Sequence, residues 1–342
     1  MSTKIKIALF EVTAADSPYF KKALKEYNIT LFREKIDKTC LPKENDFEII
    51  SPFVCSKIDK EVISYFPNLK LIAARSTGID HIDTKECQKR KIKVTNVPVY
   101  GDNTVAEHTF ALILTLSRKI FKSFDQIKES GNFSLKGMQG IDLKDKILGV
   151  VGTGNIGRYV IRIANGFQMK VLAFDLYPNK KLAEELNFQY TKNLKELLGK
   201  SDIVTLHVPL NKKTHHLINK NNIYQIKKGA FLINTARGGI IETEAMLKAL
   251  KDKYLAGVGL DVLEGEKTIK DELEIFTSDK YEAYDLVEEY KTKEKDLKVL
   301  IQNRILVDME NVVITPHNAF NSKEALHRIQ ETTVQNIKSF LK

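Results

Sequence analysis

Short apolar runs recur along this chain, each ending in glycine or polar residues, and most are followed by a stretch with helical spacing. Lys4 to Phe10, Glu48 to Ser51, Leu69 to Ala74 and Lys91 to Thr95 predict strands in the first third. Ser17 to Tyr27 and Ile58 to Phe66 predict helices between them. Asp102 to Lys128 reads as one long helix, capped by Asp102 or Asn103, with Ala106, Phe110, Ile113 and Leu114 on one face. It is expected to be a spine between two domains. Gly131 to Gly140 is a polar loop. Strands are then predicted at Ile147 to Val151, Met169 to Phe174, Ser201 to Val208, Ala230 to Asn234, Tyr254 to Leu260 and Val312 to Thr315. Glu324 to Leu341 predicts a closing helix that packs back on the first domain. Strands alternating with helices imply parallel sheets covered on both faces. The expected fold is α/β with two doubly wound domains: a smaller one from 1–101 and 311–342, and a larger one from 102–310. Thr268 to Gln302 breaks the pattern, being dense in Lys, Glu and Asp. It reads as an insertion with short helices over an active-site mouth, or as a disordered loop.

One junction carries chemistry. The run Ile147 to Val151 stops at Gly152, and a helix begins near Asn155, so Gly152, Gly154 and Gly157 form G-x-G-x-x-G between strand and helix. The first glycine allows the tight turn, the second lets a pyrophosphate approach the backbone, and the third lets helix and strand pack closely. The helix N-terminus offers free N–H groups to the phosphates. The next predicted strand ends in Asp175, eighteen residues past Gly157, where a carboxylate grips the adenosine ribose. A turn before Pro178 is the plainer reading of Asp175. Strand, glycines, helix, strand and acid arrive in order, which favours a Rossmann domain. An acid there repels a 2′-phosphate, so the expected cofactor is NAD (NADH), not NADP.

Composition narrows the classes. The 342 residues carry a formal charge of +10, but the lysines are spread among acids, with no basic helix and no zinc-finger spacing. Nucleic acid is not an expected partner, although the positive field can steer an anion inward. No run reaches the length of a membrane span. The N-terminus has no signal-peptide core. Cys40, Cys55 and Cys87 show no paired spacing, which suits reduced thiols in a cytoplasmic protein, and without C-x-x-C no metal is expected.

Arg237, Glu266 and His317 fall on strand-end loops of the second half, at the edge where doubly wound sheets bind ligands. Reduction of a 2-oxo acid needs a cation for the carboxylate, a proton donor for the carbonyl, and a group that keeps the donor charged. Arginine, histidine and a neighbouring carboxylate fit these roles. A strand-edge arginine, one acid among many and a satisfied loop histidine are the plainer alternatives.

The motifs Gly152-Thr153-Gly154-Asn155-Ile156-Gly157, His207-Val208-Pro209, Asn234-Thr235-Ala236-Arg237-Gly238, Gly259-Leu260-Asp261-Val262 and Thr315-Pro316-His317 resemble, in order, those of the D-isomer-specific 2-hydroxyacid dehydrogenases. The likeness includes Arg75 to Asp83 and Val105 to His108. It implies a Rossmann NAD domain beside a smaller flavodoxin-like substrate domain that closes over the site. It assigns Arg237 to the substrate carboxylate and carbonyl, His317 to acid/base chemistry and Glu266 to its support; Glu264 lies two residues away, and the pattern Asp-Val-x-Glu-x-Glu favours Glu266. It puts the Thr77 and Gly78 N–H groups on the substrate carboxylate. Gly152, Gly154, Asn155, Ile156 and Gly157 fall to the pyrophosphate and Asp175 to the ribose. His207, Val208, Pro209, Thr214, Thr235, Ala236, Arg237, Asp261 and His317 fall along the remaining cofactor path.

Within the family the D-lactate dehydrogenase branch is the most similar, by Tyr100 and by the aromatic in His317-Asn318-Ala319-Phe320. Phe53 and Tyr100 line the substrate pocket on this reading, or serve core or hinge packing. Gly101-Asp102 departs from the Ser-Pro of many lactate enzymes. The expected reaction is pyruvate to D-lactate, with a glyoxylate or hydroxypyruvate reductase as an alternative. A nucleotide-sensing corepressor on the same fold is the rival of another class; such proteins usually add long tails, whereas this chain runs from first strand to last helix. A homodimer through the Asp102 to Lys128 region is implied by the resemblance only.

Overall fold

The computed structural model describes residues 4–266 and 294–342. The chain forms two units, Met1–Tyr100 with Asn321–Lys342, and Gly101–Phe320.

In the first unit, β1 (Lys6–Leu9), β2 (Asn28–Leu31), β3 (Ile49–Ser51), β4 (Leu71–Ala73) and β5 (Lys93–Thr95) pair in parallel in the order β2-β1-β3-β4-β5. That is the flavodoxin-like order. The two-residue period of the strands sorts their side chains. Ala8, Phe10, Ile50 and Ile72 join Phe47, Ile63 and Phe66 in one core. Ile7, Leu9, Ile49 and Leu71 join Phe20, Leu24, Val334 and Ile337 in the other. The last two belong to the closing helix Lys323–Leu341, whose N-terminus is capped by the Ser322 hydroxyl accepting from Ala325 N. Strand β2 is not predicted from the sequence. It is an edge strand with no fully buried residue, so its four positions carry little hydrophobic signal.

In the second unit, β6 (Ile147–Val151), β7 (Lys170–Phe174), β8 (Gln189–Tyr190), β9 (Ile203–Leu206), β10 (Phe231–Asn234), β11 (Gly257–Leu260) and β12 (Val312–Ile314) pair in parallel in the order β12-β11-β10-β9-β6-β7-β8. The chain reverses direction across the sheet between β6 and β9, the switch point at which doubly wound sheets hold nucleotides. Strands covered on both faces bury every position, so Ile203–Leu206 and Gly257–Leu260 have no exposed member and read as near-continuous runs without polar alternation.

Three expectations change. The long helix is two, Asp102–Ser117 and Ile120–Ser130. The Ser117 carbonyl accepts from Ile141 N at 2.8 Å, and Lys119 between the helices takes a left-handed φ of 52°. Gly101, rather than Asp102 or Asn103, holds the N-cap position. The second domain crossing lies at 320/321, not 310/311, because β12 pairs with β11 and carries the following loop into the larger unit. The expected insertion Thr268 to Gln302 lies mostly outside the described residues; from Glu294 it is helix, running to Val307.

Candidate active site

The cofactor cradle is built by close backbone approach. Gly152 has φ +95°, and a Cβ there would sit 2.5 Å from the His207 carbonyl oxygen. A Cβ on Gly157 would sit 2.1 Å from the Gly152 carbonyl oxygen. A side chain at Gly157 would push the helix Asn155–Gly166 off the end of β6, and one at Gly152 would collide with the segment after β9. Gly154 differs: a Cβ there would meet nothing within 4 Å, so the space over the helix N-terminus is open to a phosphate. Asp175 is tied to this loop. Its Oδ2 accepts from Thr153 N at 2.7 Å and Thr153 Oγ1 at 2.9 Å, and its Oδ1 accepts from Tyr177 N. It is thus a turn residue, as the plainer reading has it, and its carboxylate is fixed beside the glycine loop. The glycine loop, the open helix end and the fixed acid fit a dinucleotide.

Loops from neighbouring strands complete the cradle. Thr214 Oγ1 donates to the Pro209 carbonyl at 2.5 Å and accepts from Asn211 N, bracing the segment after His207 and Val208. Thr235 Oγ1 pairs with Thr109 Oγ1, and Ala236 N donates to Asn234 Oδ1.

The candidate acid/base residues lie on the loops that follow β10, β11 and β12. His317 Nδ1 and Glu266 Oε1 are 2.6 Å apart, so Glu266 engages the ring through Nδ1 and not through Nε2. Glu264 faces elsewhere, with Oε1 2.7 Å from His216 Nε2 and Oε2 accepting from Thr243 Oγ1. Burial disfavours the Glu264 charge, but the hydrogen bonds from His216 and Thr243 outweigh it and hold its pKa below the ordinary value. Arg237 is half-buried and extended, with Nη1 donating to the Ala236 carbonyl at 2.7 Å. The next residue, Gly238, would place a Cβ 2.0 Å from the Leu263 carbonyl oxygen, so the Arg237 loop lies directly on the turn leading to Glu266.

Four supporting residues carry no role in the sequence reading. Asn234 bridges its own loop, accepting from Ala236 N and donating to the Arg237 carbonyl. Asp261, 1% exposed, is expected on the cofactor path, and the structure gives it a second task. It accepts from Thr315 Oγ1 at 2.6 Å, Asn318 N at 2.9 Å and Ala319 N at 2.9 Å, pinning the loop in which His317 has a φ of 55°. His108 reaches Thr315 Oγ1 at 2.9 Å. Asn234, Thr315, His108 and Gly238 all stand inside the motif strings, which was their only signal.

Thr77, Gly78, Phe53 and Tyr100 belong to the smaller unit. Among the described residues no acceptor takes the Thr77 or Gly78 N–H, while the Thr77 side chain is held by the Val97 carbonyl. The Arg75 guanidinium lies 5.0 Å from the Phe53 ring. Burial pulls the Arg75 pKa down to about 10, partly offset by Glu11 and Asp16, and it stays charged near neutrality. The Tyr100 carbonyl accepts from Arg328 Nε.

Residues 110–319 match the family model described as D-isomer specific 2-hydroxyacid dehydrogenase, NAD binding domain. The solved structure of D-lactate dehydrogenase from Aquifex aeolicus, complexed with NAD and lactic acid, is 37% identical with a TM-score of 0.83, covering 98% of this chain and 95% of that one. D-lactate dehydrogenase of Escherichia coli is 32% identical over 99% of this chain and 96% of its own length. Glyoxylate reductase of Thermofilum pendens is 36% identical over 87% and 79%. The chain belongs to the D-isomer-specific 2-hydroxyacid dehydrogenases, and its cofactor is NAD.

His207 supplies a pH test. Burial pushes its imidazole down to about 3, while Thr205 Oγ1 lies 2.9 Å from Nε2. The unfolded chain takes up a proton near pH 6.5 that the folded chain refuses. Stability from this group is therefore complete above about pH 6.5 and falls as pH drops toward the folded value. Urea midpoints of His207→Asn should depend less steeply on pH between about 6.5 and 4 than those of the parent; equal slopes would contradict it.

Proposed function

Taking that membership as the premise, we propose that the chain reduces a small 2-oxo acid to the D-2-hydroxy acid, with pyruvate to D-lactate as its main reaction. The observation that carries this is the 2.6 Å pair of His317 Nδ1 and Glu266 Oε1 on the loops beside Arg237. The likeness to two D-lactate dehydrogenases over nearly the whole chain supports the acid; the glyoxylate reductase keeps glyoxylate as the second candidate.

The residues that hold NADH are Gly152, Gly154, Asn155, Ile156, Gly157 and Asp175, with the His207-to-Thr214 and Thr235–Ala236 loops. When bound, it supplies the hydride for the carbonyl carbon. Arg237 pairs with the carboxylate and polarises the carbonyl. His317 gives its Nε2 proton to the carbonyl oxygen as the hydride arrives. Glu266, held at Nδ1, fixes the ring and stabilises the imidazolium before transfer. Thr77 and Gly78 offer their N–H groups to the carboxylate, and Phe53 and Tyr100 line the side-chain pocket. No helix among the described residues is long and apolar enough to cross a membrane. The three free cysteines suit a reducing cytoplasm.

A homodimer is also proposed, through helix Ile120–Ser130. That helix buries no residue, and Ile120, Phe121, Phe124 and Ile127 are all exposed. Such an apolar row calls for a partner surface, and the implied dimer region supplies a second copy.

NADH oxidation should be followed with pyruvate, phenylpyruvate, 2-oxoisocaproate, hydroxypyruvate and glyoxylate side by side, with the handedness of each product determined. Pyruvate should give the highest kcat/KM and D-lactate, and NADPH should serve poorly because of Asp175. Turnover of none of these acids, with NADH still bound, would instead favour a nucleotide sensor. Among variants, His317→Ala should lower kcat by about 10²-fold or more. Arg237→Ala should lower kcat/KM by over about 10²-fold, the worth of roughly 3 kcal/mol in charged hydrogen bonds. Light scattering should return twice the 39.0 kDa chain mass, and Phe124→Glu should halve it; a monomeric parent would refute the dimer.

A further inference from the structure

Glu264 is the acid that His317 does not use, and its surroundings are ordered around it. His215 and His216 follow one another in the loop after β9, their rings stacked with centroids 3.9 Å apart. The backbone sets this arrangement. His215 N donates to the Asn211 carbonyl, His216 N to the Gly239 carbonyl, and His216 takes a φ of 50°. Glu264 meets His216 at 2.7 Å through Oε1. Its Oε2 is held by Thr243 Oγ1 at 2.8 Å, and its carbonyl accepts from Asn303 Nδ2 at 2.8 Å. One ring nitrogen from each histidine and one Glu264 oxygen all lie within 4.8 Å of one another.

We infer that His215, His216 and Glu264 form a binding site for a divalent transition-metal ion of the zinc class. Two imidazoles and one carboxylate, with a water in the fourth place, are a donor set that such ions take. Bonds of about 2.0–2.1 Å put neighbouring donors about 3.3 Å apart. The His216–Glu264 pair opens slightly to reach that spacing, and the exposed His215 turns inward. Thr243 is the outer partner that orients the carboxylate. The expectation of no metal rested on cysteines; this cluster uses none. It is separate from the His317–Glu266 pair, yet it ties the Gly239 loop, which follows Arg237, to the turn that precedes Glu266. An ion here would fix both segments.

The test uses the full chain stripped of metal, in a Cys55→Ser background, because that cysteine is exposed and a thiolate would compete for the ion. Zn²⁺ is titrated against a chromogenic chelator, and Co²⁺ is followed by absorption. One equivalent should bind, with a nitrogen/oxygen cobalt spectrum and no thiolate charge-transfer band. His215→Ala should weaken binding by at least about tenfold, as the loss of one of three ligands requires, and Thr243→Val by about tenfold. Zn²⁺ should raise the Tm of the parent, and raise that of His215→Ala by less at the same ion concentration, since an ion stabilises the state that binds it in proportion to how tightly it binds. His215 lies on the surface, so its variant keeps the fold. The inference is overturned if His215→Ala binds as the parent does, if a thiolate band appears, if no ion binds, or if binding is lost in His317→Ala instead.

Discussion

Every strand of the larger sheet runs the same way, and this constraint organises its chemistry. A parallel sheet delivers each strand's carboxyl end to one edge. Gly152 follows β6, Asp175 follows β7, His207 follows β9, Arg237 follows β10, Asp261 follows β11, and His317 follows β12. The cofactor cradle lies on both sides of the switch point between β6 and β9, and the loops that carry Arg237, Glu266 and His317 lie at β10 to β12. No residue needs to travel; each needs only a loop of the right shape at its strand end.

Loop shape is then set by buried polar groups. Asp261 is a carboxylate with almost no exposed surface, and taking it from water costs several kcal/mol. Three donors offset that cost: the Thr315 hydroxyl and the backbone N–H groups of Asn318 and Ala319. A buried carboxylate tolerates few other arrangements, so it specifies the loop as well as stabilising it. His317 can then be held at a positive φ that an unconstrained loop would leave.

The sequence shows what repeats locally. Alternating apolar runs reveal the central strands, and the glycine spacing reveals the cradle, because each glycine answers a steric demand within its own turn. What depends on distant partners is less legible. Nothing near Lys119 resembles a helix breaker; the break follows from Ile141 taking the Ser117 carbonyl, more than twenty residues away. The edge strand Asn28–Leu31 buries too little to leave a pattern. The 320/321 boundary depends on which sheet accepts Val312–Ile314, a pairing choice that the strand's own residues do not encode. The anchoring task of Asp261 requires knowing that two loops meet.

Glu264 and Glu266 show how little sequence separates two roles. They share a charge, a turn and a spacing of two, and the sequence pattern alone prefers one of them. In the folded chain the difference is set by the next layer of partners. Thr243 draws Glu264 toward His216, while Glu266 turns to His317 with its second oxygen accepting from Leu263 N. Gly238 makes that turn possible, since any side chain there would collide with the Leu263 carbonyl. One residue without a side chain therefore brings the Arg237 loop against this turn. The geometry of the His317–Glu266 pair thus depends on a glycine that packs against Leu263, at the start of the turn.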